Sequence, residues 1–213
     1  MDEEYFYVKS FEEDFVLKTI KGKKKVNFQS VDNIIRTKTI KPNTKSFGKE
    51  ARLACSVLHK NYLKTYRPQG LIFKAKQMPD VVFPFDLVLL TNAKKLVVQY
   101  YRIQGNLHEY YGHDLIGGFE KFVFKDFNKM VKKFPTSGDV WGEIKKFRAK
   151  AGFGALSEQK RKLIEYCEAV FHRSVKIEPV AIYGYRKIAR DVAKKHGLPH
   201  FRTAKEFYEN FKK

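Results

Sequence analysis

The chain has 213 residues, 43% of them apolar and 15% aromatic, which is enough for one packed domain and excludes general disorder. Its 43 Lys and Arg face 23 Asp and Glu, a formal charge of +20 that repels itself in a compact monomer and calls for a polyanionic partner. Nucleic acid is the first candidate and an anionic membrane surface the second. No apolar run approaches the roughly 18–20 residues that cross a bilayer. Met1-Asp2-Glu3-Glu4 is acidic where a secretory leader is basic, so a soluble protein in the cytoplasm is expected.

In chain order, residues 5–29 predict a β-hairpin, with Phe15-Val16-Leu17 before and Val26-Asn27-Phe28 after a basic tip carrying Lys21, Lys23 and Lys24. Residues 30–46 read as a connector with Ser46 as a helix cap. A helix is expected over 48–62, where Ala51, Ala54, Val57, Leu58 and Tyr62 keep a helical period. Strands are expected at 71–73, 85–90 and 96–101, with the polar stretch 91–95 joining the last two. A helix is expected at 119–134 and an amphipathic one after Ser157, with Leu163, Ile164, Cys167, Val170 and Phe171 facing inward. Residues 177–185 read as a strand. The tail predicts two basic helices split by Gly197-Leu198-Pro199, the second opened by a capping box of Thr203 and Glu206. Cys55 and Cys167 both fall in apolar helical patterns and read as buried free thiols.

The elements describe a small α/β core, a mixed sheet flanked by helices, within a single domain. Residues 1–45 form an N-terminal hairpin extension, 46–187 the core with an insertion at about 103–155, and 188–213 the basic C-terminal helices. No Gly-rich phosphate loop, Cys-x-x-Cys pair or serine-nucleophile elbow is present. The stretch from His108 through Glu109 and His113 to Asp114 lacks the spacing that puts two imidazoles on one helix face, and Gly105 and Gly112 mark it as a loop.

Three polar groups stand where the pattern wants apolar ones: Asp86 in the strand at 85–90, Gln99 in the next strand, and Glu50 at the mouth of the helix at 48–62. A lone buried carboxylate is costly unless it is hydrogen-bonded or ligates a metal. If the three converge at one sheet edge, two carboxylates and an amide make an all-oxygen site suited to Mg²⁺. The bland alternatives are a strand-start Asp acting in a turn and a helix-start Glu favoured by the helix dipole.

In these residues the chain resembles the PD-(D/E)XK nucleases. The pattern is an early Glu50, then Phe85-Asp86-Leu87-Val88, then Val97-Val98-Gln99-Tyr100-Tyr101. The similarity is greatest to archaeal Holliday junction resolvases and restriction-type relatives, with a broader likeness to nuclease-like proteins of crenarchaeal spindle-shaped viruses. It spans roughly 46–102 and resumes at 157–187. It implies a resolvase-like fold, a DNA substrate and a homodimer. Glu50, Asp86 and Gln99 would hold Mg²⁺ or Mn²⁺, and Tyr101 stands where the family has its Lys. A tyrosine with a pKa near 10 supplies no fixed positive charge. Lys74, Lys76 or Arg102 could take the Lys place, metal alone could activate the water, or the domain could bind DNA without cutting it. A second register takes Pro79-Asp80 as the motif's start, and an RNA-binding role fits the charge equally. Basic clusters at 18–25, 129–150 and 186–205 are the expected phosphate contacts, with Tyr183, Tyr185, Phe201 and Phe207 available either for stacking on bases or for the core.

Overall fold

Leu53-Ala54-Cys55-Ser56-Val57-Leu58 is short, and it alternates between two environments along its length, which suits a strand with different neighbours on its two sides. In the computed structural model it is strand β3, Leu53–Leu58, and the expected helix over 48–62 is corrected there. The structure describes residues 5–11, 29–42, 53–85, 89, 91–103, 106–152 and 165–211, with 91–103 and 106–115 described through their backbone. A helical reading was tempting because 54, 57, 58 and 62 are apolar or small. Pairing decided otherwise: β3 lies antiparallel between β1 (Phe6–Ser10) and β8 (Cys167–Phe171).

The remaining strands are β2 (Thr39–Ile40), β4 (Gly70–Ala75), β5 (Val81–Phe83), β6 (Thr91–Ile103), β7 (Asn106–Leu115), β9 (Val175–Tyr183) and β10 (His200–Phe201). Eight form one sheet in the order β10-β9-β4-β1-β3-β8-β5, with β2 also on β9. All its pairings are antiparallel except β10 on β9. The chain is therefore α/β with a mostly antiparallel sheet. Five α-helices are present among the described residues: α1 (Val31–Thr37), α2 (Phe127–Lys133), α3 (Ser137–Lys150), α4 (Lys187–His196) and α5 (Ala204–Phe211).

Several expectations shift for local reasons. Both edges of β1 are taken by β3 and β4, so residues 6–10 are a central strand; the arms of the expected hairpin at 15–17 and 26–28 and its tip, with Lys21, Lys23 and Lys24, lie outside the described residues. The expected connector at 30–46 holds α1, capped by the Ser30 hydroxyl, which accepts from the Asn33 backbone N–H at 3.2 Å. Phe85 lies in a bend and Leu89 in a 3-10 turn, so 85–90 is not a continuous strand; β5 precedes it instead. The expected helix at 119–134 is split. Phe124 exchanges backbone hydrogen bonds with Val82 at 2.6 and 3.0 Å, so a 3-10 turn at Phe119–Phe122 and α2 lie on either side of it. The end of the expected helix after Ser157 is strand β8.

The tail follows its pattern. Gly197 closes α4 at φ 63°, and the Thr203 hydroxyl accepts from the Glu206 N–H at 3.0 Å. The Glu206 carboxylate accepts from the Arg202 N–H at 2.7 Å, one residue before the usual capping-box partner. The two cysteines are free and buried as expected, though on strands rather than helices. Burial pushes the Cys55 thiol up to about 12 and raises that of Cys167 as well.

Register separates the two faces of the sheet. Tyr7, Val57 and Cys167 line up across β1, β3 and β8, as do Cys55 and Ala169 beside them. All enter the largest core, which α1, α2 and α4 cover. On the opposite face, Phe6, Val8, Leu58 and Ile72 pack beneath α5. Val81, Phe83 and Val170 pack with the 3-10 turn and α3. Between these two smaller cores the same face carries Ser10, Ala54, Ser56 and Glu168, too small or too polar to close it.

Candidate nucleic-acid interface

The segment between β3 and β4 is held from both ends. His59 and Tyr62 exchange backbone hydrogen bonds at 3.1 and 2.8 Å, so Lys60 and Asn61 form an exposed tip. The Asn61 N–H donates to His59 Nδ1 at 3.3 Å, and the buried Tyr62 hydroxyl donates to the Phe134 carbonyl at 2.7 Å. Further along, the Tyr66 N–H donates to Ser56 Oγ at 3.1 Å. Thr65 Oγ1 donates to the Arg67 carbonyl at 2.8 Å, and the Tyr183 hydroxyl lies 2.9 Å from both that carbonyl and Thr65 Oγ1. Burial pushes the Tyr183 phenol up to about 12, so it remains a neutral donor at ordinary pH.

This bracing leaves two side chains facing outward. Tyr66 is 52% exposed, and the Arg67 guanidinium sits 4.5 Å from its ring centroid. Both line an open groove of about 1010 Å³ bounded by residues 60–68, the end of β9 and the start of α5. Tyr185, 64% exposed, stands on the other side. Gly184 sets its position: its φ is 147°, and a Cβ there would lie 2.6 Å from Gln69 Cβ. Lys60, Lys64, Arg67 and Lys205 line the groove, and among its described lining residues the one carboxylate is Glu165, ion-paired with Lys64. Exposed Arg186 and Arg202 adjoin lining residues Tyr185 and Thr203 in the chain. Aromatic faces interleaved with cations are what an unpaired strand requires: rings for the bases, ammonium and guanidinium groups for the phosphates. Because the turn is pinned before any ligand arrives, little ordering cost remains for binding.

A second, smaller cavity of about 300 Å³ opens on the face of the sheet that carries Ser56 and Glu168. It meets the groove at Tyr66 and Arg67, which line both. A third recess of about 470 Å³ beside α3 carries Lys121, Lys146 and Lys150. Lys121 Nζ lies there over the rings of Phe122 and Phe147.

The residues expected from sequence are distributed differently. Glu50, Asp86, Lys21, Lys23 and Lys24 lie outside the described residues. Gln99, Tyr101 and Arg102 are on β6, whose hydrogen-bonded partner is β7 and not a strand of the large sheet; in the register Gln99 is opposite Tyr110, and Tyr101 opposite His108. The expected turn at 91–95 is part of β6, and the expected loop at 108–114 is part of β7. Of the three expected metal ligands, one position is described, and it stands in a separate two-stranded ribbon. Among the described residues no group of three His, Cys, Asp or Glu is placed to hold a metal ion. Lys74 Nζ sits 5.5 and 5.7 Å from the ring centroids of Phe6 and Phe211, away from the groove, while Lys76 is exposed at the end of β4. Asp80, the alternative motif Asp, accepts from the His172 N–H at 2.8 Å and has Arg173 Nη2 at 3.9 Å, an arrangement that holds the β8–β9 turn.

Of the four aromatics proposed for stacking, Tyr185 is exposed, whereas Tyr183 and Phe207 are core residues and Phe201 packs against them. The sequence reading missed Tyr66, Lys60, Lys64 and Arg67, whereas Lys205 belongs to the basic cluster expected at 186–205. The available signal was Tyr66-Arg67-Pro68, an aromatic and a cation held before a proline between two strands. No family model, curated protein or solved structure matches this chain. No helix among the described residues is long and apolar enough to cross a membrane.

Proposed function

We propose that this protein binds nucleic acid, with an unpaired strand of DNA lying in the groove between Tyr66 and Tyr185. The observation that carries the reading is the pairing of two exposed tyrosines with Lys60, Lys64, Arg67 and Lys205 in one groove. The chain-wide charge of +20 supplies long-range attraction in support. Resemblance to the PD-(D/E)XK nucleases extends the proposal to metal-dependent cleavage, with Glu50, Asp86 and Gln99 as the residues that would hold Mg²⁺ or Mn²⁺. The groove residues would then bind and orient the strand.

Fluorescence anisotropy with single-stranded, duplex and four-way-junction DNA, and with RNA, across a salt series tests the binding. Single strands are expected to bind most tightly, with an affinity that falls steeply as salt rises. Tyr66→Ala and Tyr185→Ala should each weaken binding by about 1–3 kcal/mol. Arg67→Ala should lower the salt slope by about one. Equal affinity of both tyrosine variants and the wild type for every substrate would remove the groove from the reading. Incubation with Mg²⁺ or Mn²⁺, with Asp86→Ala as control, tests cleavage: products from wild type alone support it, and intact substrate with both proteins limits the function to binding.

A further inference from the structure

We propose that the outer face of α3 holds the backbone of a DNA duplex whose single-stranded end lies in the groove, so that the preferred substrate is a duplex with an unpaired tail. The inference rests on the nucleic-acid reading above and names the substrate class of that site.

α3 joins the groove to the lysine-lined recess. Ser137, its first residue, lines the groove, and Lys146 and Lys150, near its other end, line the recess. At 1.5 Å per residue the helix is about 20 Å long, the length of about six base pairs. It is buried on one side, through Val140 and Ile144. Gly138, Gly142, Lys145 and Ala149 follow one another at three- and four-residue steps on the opposite stripe. Glycine inside a helix is less favourable than alanine, and packing within the chain does not call for it here. Among the described residues, a Cβ on Gly142 would meet nothing within 4 Å, and one on Gly138 only the Thr136 hydroxyl at 3.4 Å. Glycines on an exposed face let another backbone come close.

Charge identifies the occupant. Residues 121–150 hold nine Lys and Arg, and each of the three carboxylates there is engaged in local structure. Asp126 caps α2, Asp139 closes the capping box at Thr136, and Glu143 pairs with Lys121 at 3.2 Å. Lys145, Lys146 and Lys150 are exposed, the first on the glycine stripe and the other two beside it, toward the recess. The Lys145 ammonium lies 5.7 Å from the Trp141 ring centroid; with three N–H donors it keeps others for a phosphate. From α2, Lys133 Nζ donates to the Lys121 carbonyl at 3.2 Å and adds an ammonium on the recess side. A second copy of the chain would bring these cations against its own, which disfavours that occupant. A duplex backbone supplies phosphates, and release of their counterions favours binding. Held at both places, the substrate binds more tightly than either of its parts.

The test compares three oligonucleotides on the whole chain: a thymidine single strand, a blunt duplex, and that duplex carrying the thymidine strand as a tail. Wild type is expected to bind the tailed duplex on the order of tenfold more tightly than either of the others. Its salt slope should be steeper than that of the single strand by about two to three. One variant combining Lys145→Gln, Lys146→Gln and Lys150→Gln should bring the tailed duplex down to the single-strand affinity. The single-strand affinity itself should not change, which also reports that the variant is folded. Gly142→Leu should weaken the tailed duplex alone, severalfold, while its thermal midpoint equals or exceeds that of wild type, because leucine favours the helix. Equal wild-type affinity and salt slope for the tailed duplex and the single strand overturn the α3 surface and leave the groove standing. A preference for the tailed duplex that survives both variants, or a wild-type dimer that Gly142→Leu dissociates, overturns it as well. Absence of binding to all three overturns the groove reading and the α3 surface together.

Discussion

Along β3, Leu53, Cys55 and Val57 enter the core beneath α1, α2 and α4, while Ala54 and Ser56 face the cavity on the other side. The neighbouring strand repeats the contrast: Cys167, Ala169 and Phe171 are closed in, and Glu168 lines the cavity. One face is a continuous apolar layer. The other is two smaller cores with a polar gap between them. Strands of one sheet can thus build a closed core on one side and line a cavity on the other, because alternation sends successive side chains to opposite faces.

Substitutions on the two faces should differ in proportion. The largest effect is expected from Phe73→Ala, which empties a fully buried position in the closed layer and should cost about 3–5 kcal/mol in chemical denaturation. A cost near that of a surface change would mean that the two faces are energetically alike. Next is Gly184→Ala at the edge of the groove. A positive φ and the close approach of Gln69 should make it destabilising by about 1–3 kcal/mol. Tyr183→Phe removes the hydroxyl that braces the Thr65–Arg67 turn. About 1 kcal/mol of stability should go with it, along with part of the oligonucleotide affinity, since Tyr66 and Arg67 are no longer pinned.

A smaller, pH-dependent effect is expected where two helices of the closed face meet. Asp32 on α1 accepts from Lys195 Nζ and lies against His196 Nε2 of α4, both at 2.7 Å, and the Lys195 and His196 contacts hold its carboxyl below the usual range. A depressed folded value means that this stabilisation is present above the unfolded carboxylate value of about 3.9 and is lost as pH falls through the folded one. Asp32→Asn should therefore flatten the acid end of the stability profile. The effect stays below about 1 kcal/mol, because Asp32 is 44% exposed and solvent screens the pair. Smallest of all is Ala54→Leu on the open face, within about 0.5 kcal/mol of wild type in thermal unfolding. A large loss there would show that the gap is tightly packed.

Much of the local structure was legible. The tail helices announced themselves through Gly197, Pro199 and the Thr203 cap, and β4 and β9 through short apolar runs between turn residues. Residues 53–58 and 167–171 were not legible, because a short apolar run reads equally as a strand or a buried helix turn. The split at Phe124 was hidden too, since nothing local marks that its backbone bonds to Val82. At the candidate site, Tyr185 was among four aromatics open between stacking and the core, and the structure leaves it exposed. Tyr66 and Arg67 were not foreseen, because their exposure depends on Tyr183 and Ser56, which come from other strands.

Composition by itself determined the excess of positive charge; two isolated cysteines in apolar contexts determined the free thiols, and helix punctuation determined the tail. The tertiary structure decided which apolar runs became strands, that β6 pairs with β7 outside the large sheet, and that Tyr66, Arg67, Glu168 and Tyr185 share one region. The reason is physical. A helix satisfies its backbone with its own neighbours, so its signals are local, whereas a strand's hydrogen bonds and the walls of a cavity come from residues far along the chain.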